Sequence, residues 1–273
     1  MTPEEHLRAG DLGAALTALQ DRIRADAANP KLRVFLFQLL CVMGDWKRAI
    51  TQLKVCGEMQ ASALPMAQAY REAIICEVFR DKVFAGEKEP LLFGEPQDWM
   101  AKLVEALKLL ARGNAAEAAA LRAQAFEEAP ASSGMLNGEP FEWIADADMR
   151  LGPVVEAIIN GKYFWVPFAS IRRLDIDPPA DLRDAVWMPA QLTVASGGEV
   201  VALLPARYAG TSTNGTDAEK LGRATSWSDA GADTFIGSGQ RLWATEAGDV
   251  ALMEARALTI GSAEDAGDGA TDG

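Results

Sequence analysis

Three carboxylates crowd one aromatic stretch of this chain. Between Phe141 and Pro153 stand Glu142, Asp146 and Asp148, interleaved with Trp143, Ile144 and Arg150. Carboxylates at this density could hold a divalent cation or work as an acid–base pair. The stretch reads as a short helix, 141–150, in which Glu142 and Asp146 share a face and Asp148 points elsewhere. The purely structural reading of the same residues pairs Asp146 with Arg150 at i,i+4 and turns Phe141, Trp143 and Ile144 inward. On the first reading the segment centres a carboxylate-based enzyme or metal-dependent binder; on the second it is packing.

Other chemistry is thin. The one histidine is His6, near the start and far from any cluster, so a Ser-His-Asp or Cys-His nucleophile and a mixed His/Cys zinc site are not expected. No glycine-rich phosphate loop opens a helix after a strand; the nearest glycine-rich piece, Gly237-Ser238-Gly239, reads as a turn between strands. Trp165, Trp187, Trp227 and Trp243 suit a β core more readily than a peptide anchor. The mixed-charge run from Asp175 to Asp184 reads as a solvated loop. Cys41, Cys56 and Cys76 are odd in number, form no Cys-x-x-Cys and read as reduced, buried thiols.

The elements that would position these groups begin with a repeat. Gly10-Asp11 recurs 34 residues later as Gly44-Asp45, each glycine followed at fixed offsets by an alanine (Ala15, Ala49) and a leucine (Leu19, Leu53); Gly113-Asn114 with Ala118 is a third, distant copy. This interval is that of tetratricopeptide-type helix pairs. Glycine ends one helix in a left-handed turn and the acid caps the next. Helices are expected at 3–9, 12–27, 31–43, 45–59, 64–84, 99–110 and 115–128, with the repeat interrupted between 86 and 96. Residues 131–140, rich in turn formers, read as a linker. Short helices are expected at 141–150 and 152–160, then strands at 163–171, 190–195, 199–204, 233–236, 241–245 and 250–260, with Ser196-Gly197-Gly198 as a hairpin turn. The fold expected is therefore multidomain α and β. A tetratricopeptide-like helical domain (1–130) precedes a smaller α+β domain (141–260), whose mostly antiparallel sheet could close into a barrel. An acidic tail (261–273) is expected to be disordered.

At 273 residues the chain can form two cores. Its formal charge of −13 disfavours nucleic acid and anionic membrane surfaces, which require clustered Lys and Arg. No apolar run is long enough to span a bilayer. The start, Met1 to His6, lacks a basic region ahead of an apolar core, so no secretory signal is expected.

Four separated stretches, 34–53, 141–148, 161–168 and 179–187, together resemble the ImpE/SciE/TagJ family over residues 1 to about 260. The resemblance implies an accessory protein of bacterial type VI secretion systems: cytoplasmic, non-enzymatic, without cofactor or metal. The partner it implies is the contractile sheath, chiefly an amphipathic N-terminal helix of the small sheath subunit. It assigns no contact residues. On physical grounds Trp46, Trp99, Trp143, Asp146, Arg183 and Trp187 are candidates for partner binding, by helix-in-groove recognition, and the net acidity favours basic flanks on the partner.

Overall fold

The computed structural model describes residues 1–95 and 97–261. Seven helices come first: α1 (Pro3–Ala9), α2 (Leu12–Ala25), α3 (Pro30–Met43), α4 (Trp46–Met59), α5 (Leu64–Phe84), α6 (Asp98–Ala111) and α7 (Ala115–Glu128). Their ends are set locally. Gly10 and Gly44 adopt φ of 80° and 77°, while the Asp11 and Asp45 carboxylates accept hydrogen bonds from Ala14 N and Arg48 N at 2.7 and 3.2 Å. Ala15, Ala49 and Ala118 have no exposed surface, so the small residue of the signature lies where helices meet.

Strand β1 (Leu91–Leu92) interrupts the helices, and thirteen more strands follow. They are β2 (Gly134–Leu136), β3 (Glu139–Phe141), β4 (Ile144–Asp146), β5 (Val154–Ile159), β6 (Lys162–Pro167), β7 (Ile171–Ile176), β8 (Trp187–Val194), β9 (Glu199–Pro205), β10 (Thr225–Asp229), β11 (Phe235–Gly239), β12 (Leu242–Thr245), β13 (Gly248–Ala251) and β14 (Ala257–Ile260). Short helices α8 (Thr211–Asn214) and α9 (Asp217–Lys220) lie between β9 and β10. Nine strands form one sheet in the order β1-β6-β5-β9-β8-β7-β14-β2-β3, antiparallel except for β1 beside β6. Among the described residues β1 and β3 each pair on one side only, so the sheet is open and the barrel that was expected as possible does not form there. Smaller sheets, β13-β12-β4 and β10-β11, complete the fold.

Three expectations are corrected here. The helices expected at 141–150 and 152–160 are strands β3, β4 and β5. Every residue of β5 is buried, and an apolar run covered on both faces carries no period to separate strand from helix. The linker expected at 131–140 holds β2 and the start of β3, so it belongs to the sheet. Asn137-Gly138 and Asn160-Gly161, all with positive φ, form the two-residue turns of the β2–β3 and β5–β6 hairpins. Gly237-Ser238-Gly239 is not a turn but part of β11, where the ring of Tyr208 occupies the space a Gly237 side chain would need. The acidic tail expected at 261–273 lies, from 262 onward, outside the described residues.

The strand period divides the core. Val154 and Ile158 of β5, with Tyr163 and Trp165 of β6 and Trp187 of β8, join the helices in one hydrophobic cluster. Val155, Ala157 and Ile159 face the opposite way into a second cluster with Phe168, Leu192 and Trp243. One face of the sheet is thus the floor on which the helices rest.

The segment after β9 grips the glycine turns. Arg207 donates to Val42 O at 2.8 Å at the end of α3; Ser212 packs on Gly44; Arg223 donates to Leu7 O at 2.8 Å; Leu12 N donates to the Asp217 carboxylate at 2.9 Å. A Cβ at Gly44 would stand 2.8 Å from Ser212 Cβ, whereas Gly113 has open space around it. Gly113→Ala should therefore cost about 1 kcal/mol, from its left-handed backbone alone, and Gly44→Ala about 2–4 kcal/mol. Urea midpoints compare the two; equal losses would show that the Gly44 turn is not held against Ser212.

Candidate functional site

The carboxylates that crowd the 141–153 stretch separate in space. Glu142 is exposed, and its backbone N–H donates to the Glu246 carboxylate at 2.7 Å. Asp146, on β4, and Asp148, in the turn after it, are buried to 3% and 0% relative exposure. Asp146 pairs with Arg241 and accepts a hydrogen bond from Asp148 N at 2.9 Å. Asp148 accepts from Arg150 Nε and from Gly237 N, both at 2.9 Å. The expected Asp146–Arg150 pair is thus corrected: Arg150 takes Asp148, because β4 is a strand and the i,i+4 helical neighbour relation does not exist there.

Asp146 stands at one end of a longer buried chain of charges. Arg241 also pairs with Glu156, in the middle of β5. Glu156 receives Arg80 of α5 through Nε at 2.5 Å and Nη2 at 2.8 Å, and the Tyr163 hydroxyl donates to the same carboxylate. Arg80 also meets Glu77 at 3.3 Å, and Glu77 accepts from Trp187 Nε1 at 3.0 Å. The remaining donors end on backbone carbonyls: Arg80 Nη2 on Arg207 O, and Arg241 Nε on Pro205 O, each at 2.9 Å. Each carboxylate in this chain of charges meets an arginine, with two guanidiniums (Arg80 and Arg241) serving three carboxylates (Glu77, Asp146 and Glu156) and the buried Arg207 adding its charge beside Glu77.

Burial alone would raise the Glu156 pKa, but Arg80 and Arg241 outweigh it and hold the carboxyl at about 2. At Asp146 burial prevails over the pull of Arg241, with the Asp148 charge adding to it, and the carboxyl is pushed up to about 7. Burial likewise raises the thiols, Cys76 to about 12, so none of the three buried cysteines is poised as a thiolate.

This arrangement answers the enzyme reading of Glu142, Asp146 and Asp148. That reading needs a pocket with at least two of them free of arginine, and the two that are buried are each occupied by one. Among the described residues no group of three or more His, Cys, Asp or Glu could hold a metal ion. What the cluster does is join α5 to β5, β4 and β12.

The residues proposed for partner binding also divide. Trp187 is fully buried; Trp46 and Tyr70 pack on it with ring centroids 6.0 and 5.8 Å away, and Arg183 lies over Tyr70 at 4.5 Å. The structure brings Trp46, Trp187 and Arg183 together, but as packing between α4, α5 and the loop before β8. Trp99 is buried to 4% and Asp146 to 3%, so neither presents a surface; Trp143, at 43%, does. Sequence reading missed Glu77, Arg80, Glu156, Arg207 and Arg241. The signal available for one of them was Glu156 itself, a lone charge inside the apolar run Val154 to Ile159.

The molecule is thus an array of helices fastened to an open, mostly antiparallel sheet by a buried ion network. A family model described as ImpE protein matches residues 138–259. The type VI secretion system accessory component TagJ of Pseudomonas aeruginosa is 54% identical over 258 residues, spanning 94% of this chain and 90% of that protein. The crystal structure of protein VPA1032 from Vibrio parahaemolyticus has the same fold, with a TM-score of 0.86 at 27% identity, over 95% of this chain and 97% of that one. The chain belongs to the ImpE family.

Glu156→Gln removes the charge shared by two buried arginines and should cost about 3–5 kcal/mol. Asp146→Asn should cost less, because Arg241 keeps Glu156. The Glu156 pKa lies below its ordinary value, so its stabilisation is complete above about pH 4.5 and is lost as pH falls toward 2. Asp146, raised to about 7, acts in the opposite sense: its preference for the proton lowers stability as pH climbs from about 4 to 7. Urea unfolding across pH 2–8 should show the acid-side loss in the native chain and a flatter acid limb in Glu156→Gln; parallel profiles would contradict this assignment.

Proposed function

We propose that this chain is an accessory component of a bacterial type VI secretion system, acting in the cytoplasm without catalysis of its own. In this reading it holds an amphipathic helix from the contractile sheath, the N-terminal helix of the small sheath subunit. The observation that carries the reading is the 54% identity to TagJ across 94% of the chain, which takes in the helical part as well as the sheet.

The structure supports it in two ways. The carboxylates best placed for chemistry, Asp146 and Asp148, are committed to arginines and backbone N–H groups. The helices, read as a short tetratricopeptide-like domain over 1–130 braced by a second domain over 141–260, are the kind of surface that receives another helix. No helix among the described residues is long and apolar enough to cross a membrane. Binding of this kind would tune assembly or turnover of the sheath.

Calorimetric titration of the purified chain with a peptide of that sheath helix should give saturable binding with a micromolar or lower Kd. No heat of binding at high micromolar peptide would remove the sheath-helix reading.

A further inference from the structure

Asparagine stands directly before glycine three times in this chain, at Asn137-Gly138, Asn160-Gly161 and Asn214-Gly215. The pair carries its own chemistry. Glycine has no side chain to shield its backbone nitrogen. Once that nitrogen gives up its proton, it can attack the side-chain carbonyl carbon of the asparagine before it. The new carbon–nitrogen bond closes a succinimide ring, and the side-chain amide takes up a proton and leaves as ammonia. Water then opens the ring at either carbonyl, giving aspartate or an isoaspartyl linkage. By this local chemistry the three pairs are equivalent; in the fold they are not.

Asn137 and Asn160 form a matched pair. Each opens a two-residue hairpin turn, with φ of 54° and 49°, and the glycines follow at 88° and 70°. Their side chains differ. Asn137 Oδ1 accepts from Arg256 N at 2.7 Å and from Ala257 N at 3.3 Å, and its Nδ2 donates to Glu254 O at 3.1 Å. The amide is thus held at both ends by the chain entering β14, and it cannot swing toward Gly138 N without losing these bonds. Asn160 is exposed, and its side chain has no hydrogen-bond partner among the described residues.

Asn214 is protected differently. It ends α8, and Gly215 N, the nitrogen that would attack, donates to Thr211 O at 2.9 Å. That bond has to break before the ring can close.

The surroundings of Asn160 give its conversion a consequence. Gly161 lies against α5: its carbonyl accepts from the Cys76 thiol at 3.3 Å, and a Cβ on it would stand 2.7 Å from a Glu72 carboxylate oxygen. A carboxylate at 160 therefore enters beside a glycine that already faces Glu72. An isoaspartyl linkage adds a main-chain carbon to a turn whose length sets the β5–β6 register.

We propose that Asn160 is a deamidation site of the folded chain, converting to aspartate and isoaspartate at the seam between α5 and the sheet, while the fold protects Asn137 and Asn214. Each hydrogen bond that must be given up slows the attack by roughly twofold to tenfold. Asn160 should therefore convert at least about tenfold faster than Asn137 and about threefold faster than Asn214.

The test incubates the full chain at mildly alkaline pH, where the glycine nitrogen loses its proton more readily. Peptide mapping by mass spectrometry follows the amide-to-acid change at each site, and methyl transfer by an isoaspartyl methyltransferase scores the isoaspartate. Conversion should be fastest at Asn160, and the three rates should converge in urea, where the protecting bonds are lost. Asn160→Gly keeps a residue that accepts positive φ and should remove most of the isoaspartyl signal. Equal rates in the folded chain, faster conversion at Asn137 or Asn214, or conversion at 160 only in urea overturns the proposal. So does an undiminished isoaspartyl signal in Asn160→Gly.

Discussion

Glu156 is the constraint around which the two halves of the molecule are organised. It stands in the middle of a strand buried on both faces, on the side that meets the helices, between Val154 and Ile158. An isolated carboxylate there would be intolerable. It is tolerated because α5 brings Arg80 and the residue before β12 brings Arg241, and both arginines spend their remaining donors on backbone carbonyls of the chain around β9. Sliding α5 along the sheet would strand at least one of these charges. The apolar floor of Tyr163, Trp165 and Trp187 supplies adhesion without direction; the ion chain supplies the register.

The segment from Pro205 to Arg223 extends the same logic to the other helices. Helix ends leave carbonyls and N–H groups without partners, and here side chains from the far part of the chain take them. Arg207 serves the end of α3, Arg223 the end of α1, and Asp217 the start of α2. Gly44 leaves the room in which Ser212 sits. The glycine turns therefore have a second use beyond ending helices: they are where the sheet-bearing part holds the array.

How much of this was legible follows from the range of each interaction. The helices from α1 to α7 were readable almost to the residue, because their limits rest on Gly10-Asp11, Asn29-Pro30 and Gly44-Asp45, all local signals. Strand β5 was misread because a run buried on both faces has no period, although Asn160-Gly161 directly after it marks a hairpin. The ion network was out of reach. Arg80 and Glu156 are 76 residues apart, Asp146 and Arg241 95 apart, and no spacing rule joins them. Tryptophans were chosen as contact candidates by type, but type does not separate an anchor from a core residue: Trp99 and Trp187 went inside, and Trp143 did not.

Rigidity and binding then become parts of one argument. A partner helix gains affinity when its receptor does not have to be ordered on arrival. Here α3 and α5 are tied to the sheet by side-chain hydrogen bonds, and the turns between α1 and α2 and between α3 and α4 are capped from outside the array. These ties consume the inner faces and the Gly10 and Gly44 ends of the helices. The flank of α4 and α5 away from the sheet is not consumed, because the chain departs after Phe84 into β1 and supplies no further helix there. The ion network thus fixes the side of α5 that meets the sheet, while the chain's departure after Phe84 leaves the other side uncovered.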